Sequence, residues 1–274
     1  MSKKQEKLTL QAVFFVIEVI AIKNLFCGEV VYGLYLQYKQ TALTKTERLR
    51  VYSLGVYNKH NDKEQWIRIT EGCPNNCPFC YEPQEIRVFE IPEIIRNDVK
   101  VMDMNLLCKP EALSIIEELG SKKVNNKVVY YSLICGIDWR FLTQDLANAL
   151  HKNRFKKIRF AWDYGFEHQY KIKDAVTVLR KAGYKGKLDL MIFMVCNWET
   201  PYETCLKKLD LLKIWNCQVS DCWYDNQVSP NIKPIHWATE HIKDFRRRCR
   251  KHNQMVSFRI DPELRNTNNT LKED

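Results

Sequence analysis

The stretch Cys73-Pro74-Asn75-Asn76-Cys77-Pro78-Phe79-Cys80 places three thiols in the spacing C-x3-C-x2-C. Clustered thiolates are soft ligands that suit an iron–sulfur cluster or zinc. Most iron–sulfur clusters take four cysteines, so a set of three leaves one iron open to bind a cofactor. A structural zinc knuckle is the alternative, but zinc sites usually show a second C-x2-C half or a Cys/His pair, and none follows nearby. The spacing therefore favours an iron–sulfur cluster.

Outward from this loop, apolar runs alternate with amphipathic segments. The apolar runs cover 66–70, 99–104, 128–135, 157–162, 188–196 and 217–223. The segments with helical character cover 91–97, 110–119, 143–152, 169–182 and 202–214. Near-continuous apolar runs are typical of parallel strands covered on both faces. Six such units predict an α/β fold, a partial parallel (βα)6 barrel over residues 61–227.

The three cysteines, with Phe79 directly before the last one, resemble the radical S-adenosylmethionine (radical SAM) superfamily over roughly residues 65–226. The pattern is closest to the methylthiotransferase-like branch, where the Glu199-Thr200 pair ends a turn that contacts adenosine. The resemblance implies the same partial barrel, a [4Fe–4S] cluster on Cys73, Cys77 and Cys80, and S-adenosylmethionine on the open iron. It also implies reductive cleavage of that cofactor, hydrogen abstraction from a substrate, and an external electron donor such as a flavodoxin or ferredoxin.

Polar residues follow most of the predicted strands. In α/β barrels the reacting groups lie where strands end and loops begin. S-adenosylmethionine needs acceptors for its amino group and ribose hydroxyls, and apolar walls for its adenine. We therefore predict the cofactor-binding residues Phe79, Asp103, Asn105, Asp138, Asp163 and Asn197. Each of the polar residues has an ordinary alternative role as a helix cap.

The net charge of +10 lies in the flanks, with +5 in residues 1–60, +1 in residues 61–226 and +4 in residues 227–274. Residues 1–60 predict a helical extension with helices at 8–24 and 44–55, either helix-turn-helix-like or a cap on the core. Residues 228–274 predict a basic helix at 235–252, a short strand at 255–260 and a disordered tail. Basic flanks favour an RNA or DNA partner. The alternative for the arginine run at 246–250 is a solvated helix end.

Eleven cysteines, odd in number and scattered, indicate a reducing compartment, and we expect a cytoplasmic protein. The apolar run at 12–22 is interrupted by Glu18 and is too short to span a bilayer, so no membrane partner is expected. The sequence thus predicts a radical SAM enzyme whose substrate is RNA or DNA. A radical SAM peptide maturase is one alternative. A non-catalytic nucleic-acid-binding protein with a structural metal is the other, and a lined cavity argues against it.

Overall fold

The computed structural model describes residues 57–77, 80, 82–196, 200–223 and 237–258. These residues contain eleven strands and five α-helices. The strands are β1 (Tyr57–His60), β2 (Gln65–Arg68), β3 (Thr70–Glu71), β4 (Arg87–Val88), β5 (Asp98–Val101), β6 (Lys123–Val124), β7 (Lys127–Val128), β8 (Tyr130–Leu133), β9 (Ile158–Ala161), β10 (Leu190–Cys196) and β11 (Gln218–Trp223). The helices are α1 (Ala112–Ser121), α2 (Gln144–Lys152), α3 (Gln169–Ala182), α4 (Tyr202–Ile214) and α5 (Thr239–Phe258).

The main strands form two sheets that follow the chain order. One sheet has the order β1-β2-β5-β8 and the other β11-β10-β9. All neighbours are parallel except β1, which is antiparallel to β2. Isolated parallel bridges, Tyr131 to Phe155 and Ile137 to Phe160, join the two sheets between β8 and β9. The predicted mixed α/β fold with parallel strands is confirmed, and no closed barrel is present among the residues that the structure describes.

Every apolar run predicted as a parallel strand overlaps one, with ends that differ by up to three residues. Four predicted helices also form, within two residues of their expected bounds, as α1 to α4. The sequence signals that set the ends of these helices are local. Thr143 caps α2 by accepting a hydrogen bond from the Leu146 N–H at 3.2 Å. Gly183 ends α3 in the left-handed conformation, at φ 116°, which costs glycine little.

The helix predicted at 91–97 is wrong, because this segment has no regular secondary structure and bends at Asn97. Pro92 cannot donate a backbone hydrogen bond, and the side chain of Gln65 instead hydrogen-bonds to the backbone of the residues that follow it. Its amide nitrogen donates to the Glu93 carbonyl at 2.8 Å, and its oxygen accepts from the Ile95 N–H at 2.9 Å. The first crossover, which holds the three cysteines, therefore contains no helix in its described residues.

The two flanks also differ from expectation where they are described. Residues 57–60, assigned to the helical extension, form β1 and pair with β2 in register from Tyr57↔Arg68 to His60↔Gln65. At the other end α5 continues to Phe258, so residues 255–258 are not a strand. Phe245, Cys249, His252 and Val256 share one buried face of α5, and this apolar spacing holds the last turn in the helix. The predicted helices at 8–24 and 44–55 and the tail lie outside the described residues.

One face of the parallel strands packs in the apolar core and the other face lines a cavity, which is the candidate site. In β10, burial alternates along the strand, with Leu190, Ile192, Met194 and Cys196 buried and the residues between them half-buried. The buried residues belong to the apolar core. Two of the half-buried ones, Phe193 and Val195, line a cavity on the opposite face. Among the described helices, none is long and apolar enough to cross a membrane.

Candidate active site

The cysteine loop lies between β3 and β4, which pair antiparallel and hold its two ends together. Inside it, the Cys73 N–H donates to the Pro83 carbonyl at 2.7 Å and the Cys80 N–H donates to the Cys77 carbonyl at 2.9 Å. Gly72 enters the loop at φ 90°, and a Cβ there would lie 2.0 Å from the Glu85 carbonyl oxygen. Only glycine fits that approach, which explains the residue at the entry of the loop.

All three thiols line one cavity of about 250 Å³. The cavity lies at the carboxyl ends of the parallel strands, where active sites of such folds occur. Its polar lining includes Asn105 after β5, Asp138 after β8 and Asp163 after β9. Its apolar lining consists of Met104, Ile137, Trp139, Ala161, Phe193 and Val195, with Tyr164 beside them. The structure therefore brings three of the predicted cofactor-binding residues to the cysteines.

The surroundings of Cys73 favour its thiolate form. Its pKa is lowered to about 6 by a hydrogen bond with the Cys108 thiol, and also by hydrogen bonds from Asn105 and the Asn75 N–H, despite partial burial. The amide nitrogen of Asn105 lies 3.3 Å from the Cys73 sulfur. Since the thiolate is the form that ligates metals, these surroundings favour ligation by Cys73.

The other two cysteines have different surroundings. Burial raises the pKa of Cys80 to about 11, although the Glu82 N–H donates to its sulfur at 3.4 Å. Cys77 hydrogen-bonds to Arg140 and Tyr164, two residues on the far side of the cavity. In the described part of the chain, no three Cys, His, Asp or Glu side chains converge on a single ion.

Asn105 carries the clearest sign of a missing partner. It is only 4% exposed, and its Oδ1 is buried without a hydrogen-bond partner among the described residues. Leaving a buried acceptor unsatisfied costs about 1–3 kcal/mol, so such atoms usually have a ligand or water as partner. Because Asn105 lines the cavity beside Cys73, the atom fits a donor group of a bound cofactor, such as an ammonium.

Asp138 already has partners within the protein. Its carboxylate accepts from the Arg140 N–H at 3.0 Å and from the Arg140 guanidinium at 2.8 Å. Asn75 of the cysteine loop also donates to it. Asp138 thus caps the 3₁₀ helix Trp139–Phe141 and positions Arg140 near Cys77. The cap role expected as its ordinary alternative is present, beside its place in the cavity.

Asp163 lines the same cavity and holds the neighbouring strand. Its Oδ1 accepts the Val195 N–H at 2.9 Å, which fixes the end of β10. Burial raises its pKa to about 6, although Lys208 nearby opposes this shift. Lys208 is itself fully buried and donates to the Trp162 carbonyl at 3.0 Å. Asp163 therefore offers the cavity a carboxyl group that changes charge near physiological pH.

The structure places Asp103 outside the cavity. It is fully buried, and its two oxygens accept from the Ile69 N–H and the Thr70 hydroxyl, each at 2.9 Å. These bonds join the end of β5 to the break between β2 and β3, so its contacts are structural rather than with the cavity. Phe79 and Asn197 lie outside the described residues. The ligand roles predicted for the six residues stay predictions.

Four residues of the site escaped the sequence reasoning, namely Glu82, Cys108, Lys109 and Tyr164. Glu82 is buried, accepts from the Gly72 N–H at 2.7 Å and pairs with Arg68 at 3.1 Å. Its position two residues after the last cysteine was the available signal. The Cys108 thiol contacts Cys73. No local pattern distinguishes it from the other scattered cysteines.

No family model matches the chain, and no curated protein matches its sequence. Two solved structures of TsrM, a radical S-adenosylmethionine methyltransferase from Kitasatospora setae, are similar to it. One contains cobalamin and a [4Fe–4S] cluster, and the other tryptophan substrate and the analogue aza-SAM. Each is 12% identical with a TM-score of 0.48, and the matches cover 58% and 59% of this chain. They cover 36% and 35% of those chains, so this chain matches about a third of their length.

Proposed function

We propose that this chain is a radical SAM enzyme, with a [4Fe–4S] cluster on Cys73, Cys77 and Cys80 and S-adenosylmethionine beside it. One observation carries the proposal. Three thiols of the cysteine loop line a cavity next to Asn105, whose buried Oδ1 has no partner among the described residues. The donor set fits a cluster with one open iron, and the unfilled acceptor fits the amino group of the cofactor.

A cluster held by Cys73, Cys77 and Cys80 would supply one-electron reduction of the cofactor's sulfonium and, through it, hydrogen-atom abstraction from the substrate. The residues of this chain bind and orient the cofactor. Asn105 accepts the cofactor's ammonium while its amide nitrogen contacts Cys73. Asp163 supplies a carboxylate that favours the cationic cofactor, and Phe193 and Val195 supply an apolar wall that excludes water.

The finer features of the fold and family belong to the same proposal. Six parallel strands in chain order, joined between β8 and β9, fit a partial (βα)6 barrel that is open at β1 and β11. The methylthiotransferase-like branch rests on the Glu199-Thr200 pair alone. The ten described cysteines are free thiols, which suits the cytoplasm and a low-potential donor such as a flavodoxin or ferredoxin.

The substrate proposed here is RNA or DNA, bound through the basic flanks. Its structural support is an exposed surface on α5 formed by Arg247, Arg248 and Lys251. Asp244 lies 2.6 Å from Arg247 and 2.5 Å from Arg248, and thus offsets part of this charge. A peptide substrate becomes the leading alternative if the protein binds neither nucleic acid at low salt.

The deciding experiment is anaerobic reduction of the reconstituted full chain with dithionite in the presence of S-adenosylmethionine. We expect about four irons per chain and release of 5′-deoxyadenosine. Cys73→Ala, Cys77→Ala and Cys80→Ala should each lose both signals. Cys205→Ala and Cys217→Ala, which remove buried thiols from the core, should keep them. Stoichiometric zinc without iron after anaerobic purification would refute the proposal.

A further inference from the structure

Lys109 is a buried cation without a buried counter-charge. Lys109 is only 4% exposed, and its ammonium donates to the Gly72 carbonyl. None of the described carboxylates forms an ion pair with it, whereas Lys100 pairs with both Glu64 and Asp98 on the surface. The other deeply buried lysine, Lys208, has Asp163 nearby. Burying a charge without a partner is costly, so an isolated buried ammonium indicates that an anion belongs beside it.

The contacts of Lys109 lead to the cysteine loop. The Gly72 carbonyl accepts the hydrogen bond of Lys109, and Gly72 directly precedes Cys73. Lys109 also hydrogen-bonds to the Cys108 sulfur, and the Cys108 thiol in turn contacts Cys73. A chain of two contacts thus connects the ammonium with a predicted cluster ligand. The Cys108 sulfur lies 3.1 Å from the Asn105 carbonyl, which holds this short segment against the loop.

We propose that Lys109 is the counter-cation of the cluster held by Cys73, Cys77 and Cys80, and that its charge favours one-electron reduction of that cluster. This inference rests on the proposed function. Three thiolates outweigh the positive charge of a [4Fe–4S] core, so the ligated site is anionic. One electron from a low-potential flavin or iron–sulfur donor makes it more anionic by one charge, and the donor is oxidised by one electron.

A fixed cation stabilises the more negative state more strongly, and the effect is large where water is excluded. Lys109 neither gives nor takes a proton in this role. It is a positioning and tuning residue rather than a catalytic one, because it contacts the ligand loop and not the substrate. The competing explanation is that Lys109 only packs and holds the Gly72 carbonyl.

The test compares Lys109→Met, Lys109→Arg and the surface control Lys100→Met in the reconstituted full chain. The readout is the ratio of reduced to oxidised cluster, followed by electron paramagnetic resonance at one fixed potential. We expect Lys109→Met to lower this ratio roughly tenfold or more. Tenfold equals about 59 mV for one electron. Lys109→Arg keeps the cation and should retain most of the ratio, and Lys100→Met should match wild type.

A second readout separates charge from packing. Methionine keeps an apolar stem of similar length, so cluster-free Lys109→Met should be at least as stable to heat as cluster-free wild type. An unchanged ratio in Lys109→Met would overturn the inference. Loss of cluster in Lys109→Met but not in Lys109→Arg would support it, and loss in both would overturn it in favour of packing. If wild type itself binds no iron, it is the proposed function that fails.

Discussion

The amide nitrogen of Asn105 lies 3.3 Å from the sulfur of Cys73, so the residue after β5 directly contacts the first cysteine of the loop after β3. The other end of the same side chain, Oδ1, is buried without a partner among the described residues. One side chain therefore meets a predicted cluster ligand and offers an acceptor to a predicted cofactor. This relationship makes the site more than a set of three thiols.

Replacing Asn105 tests that dual role. Asn105→Leu keeps the volume but removes the acceptor, so we expect iron content to persist while affinity for S-adenosylmethionine falls. Losing a charge-assisted hydrogen bond costs about 1.5–3 kcal/mol, which is roughly tenfold or more in affinity. Calorimetry with reconstituted protein measures this. Asp103→Asn is the matched control, since Asp103 is buried nearby but does not line the cavity. Equal affinities in both variants would remove Asn105 from the cofactor site.

Asp163 predicts a pH dependence of cofactor binding. Burial raises its pKa to about 6, so the carboxylate that favours a cationic ligand is lost as the pH falls through that value. We expect the affinity of wild type for S-adenosylmethionine to weaken below about pH 6. Asp163→Asn should bind more weakly at pH 7.5 and show little change on acidification. A wild-type affinity that is flat between pH 5 and pH 7.5 would argue against contact between Asp163 and the cofactor.

The cysteines of the cluster-free protein should differ in reactivity. Cys73 has a pKa lowered to about 6, and Cys80 has one raised to about 11. Since only the thiolate reacts, iodoacetamide at pH 7 should label Cys73 well before Cys80. Mass spectrometry of peptides from timed reactions checks the order. Asn105→Leu removes one hydrogen bond to Cys73 and should slow its labelling. Faster labelling of Cys80 would contradict the arrangement around the loop.

Asp103 predicts how stability changes with pH. Burial raises its folded pKa to about 6 from an ordinary value of 3.8. A raised folded pKa contributes stability that is present below the unfolded value and is lost as pH rises through the folded one. Asp103→Asn can keep both hydrogen bonds, with the Thr70 hydroxyl reversed to accept. Between pH 4.5 and pH 7, wild type should therefore lose roughly 2 kcal/mol relative to the variant, out of roughly 3 kcal/mol for the full titration.

Urea denaturation of the cluster-free proteins at pH 4.5 and pH 7 measures this difference. The comparison between wild type and variant cancels the other titrating groups, which are the same in both. A gap between the two free energies of unfolding that does not change with pH would mean that Asp103 ionises in the fold as easily as in the unfolded chain. After reconstitution, the Asp103→Asn variant should bind as much iron as wild type.

Asp244 provides a test of the basic surface. It lies beside Arg247 and Arg248 on α5, and Asp221 lies 3.4 Å from Arg246. If these arginines contact phosphates, Asp244→Asn should strengthen binding of single-stranded RNA or DNA at low salt. Changing Arg247, Arg248 and Lys251 to Gln should make the slope of log affinity against log salt shallower by roughly 0.7–0.9 per lost contact. Fluorescence anisotropy measures both. Unchanged binding in both variants would leave these residues as a solvated helix surface.

The sequence alone determined the features that depend on nearby residues. Thiol spacing from Cys73 to Cys80 is local, and so are the apolar runs of the parallel strands and the caps of α2 and α3. These signals act within a few residues, because backbone hydrogen bonding and side-chain burial repeat with a short period. Where local signals competed with longer contacts, the prediction failed. Gln65 of β2 hydrogen-bonds to the backbone of 91–97, which forms no helix, and a buried stripe carries α5 through residues 255–258.

Tertiary structure decided which side chains meet. Asn105, Asp138 and Asp163 reach the cavity with the cysteines because parallel strands end on one edge, whereas Asp103, two residues before Asn105, is turned into the strand break. Cys108 and Lys109 join the site because the chain after β5 folds back on Gly72. Spacing in sequence carries no information about such contacts, because they depend on strand order and loop path. The sequence thus predicted the ligands, and the fold determined what surrounds them.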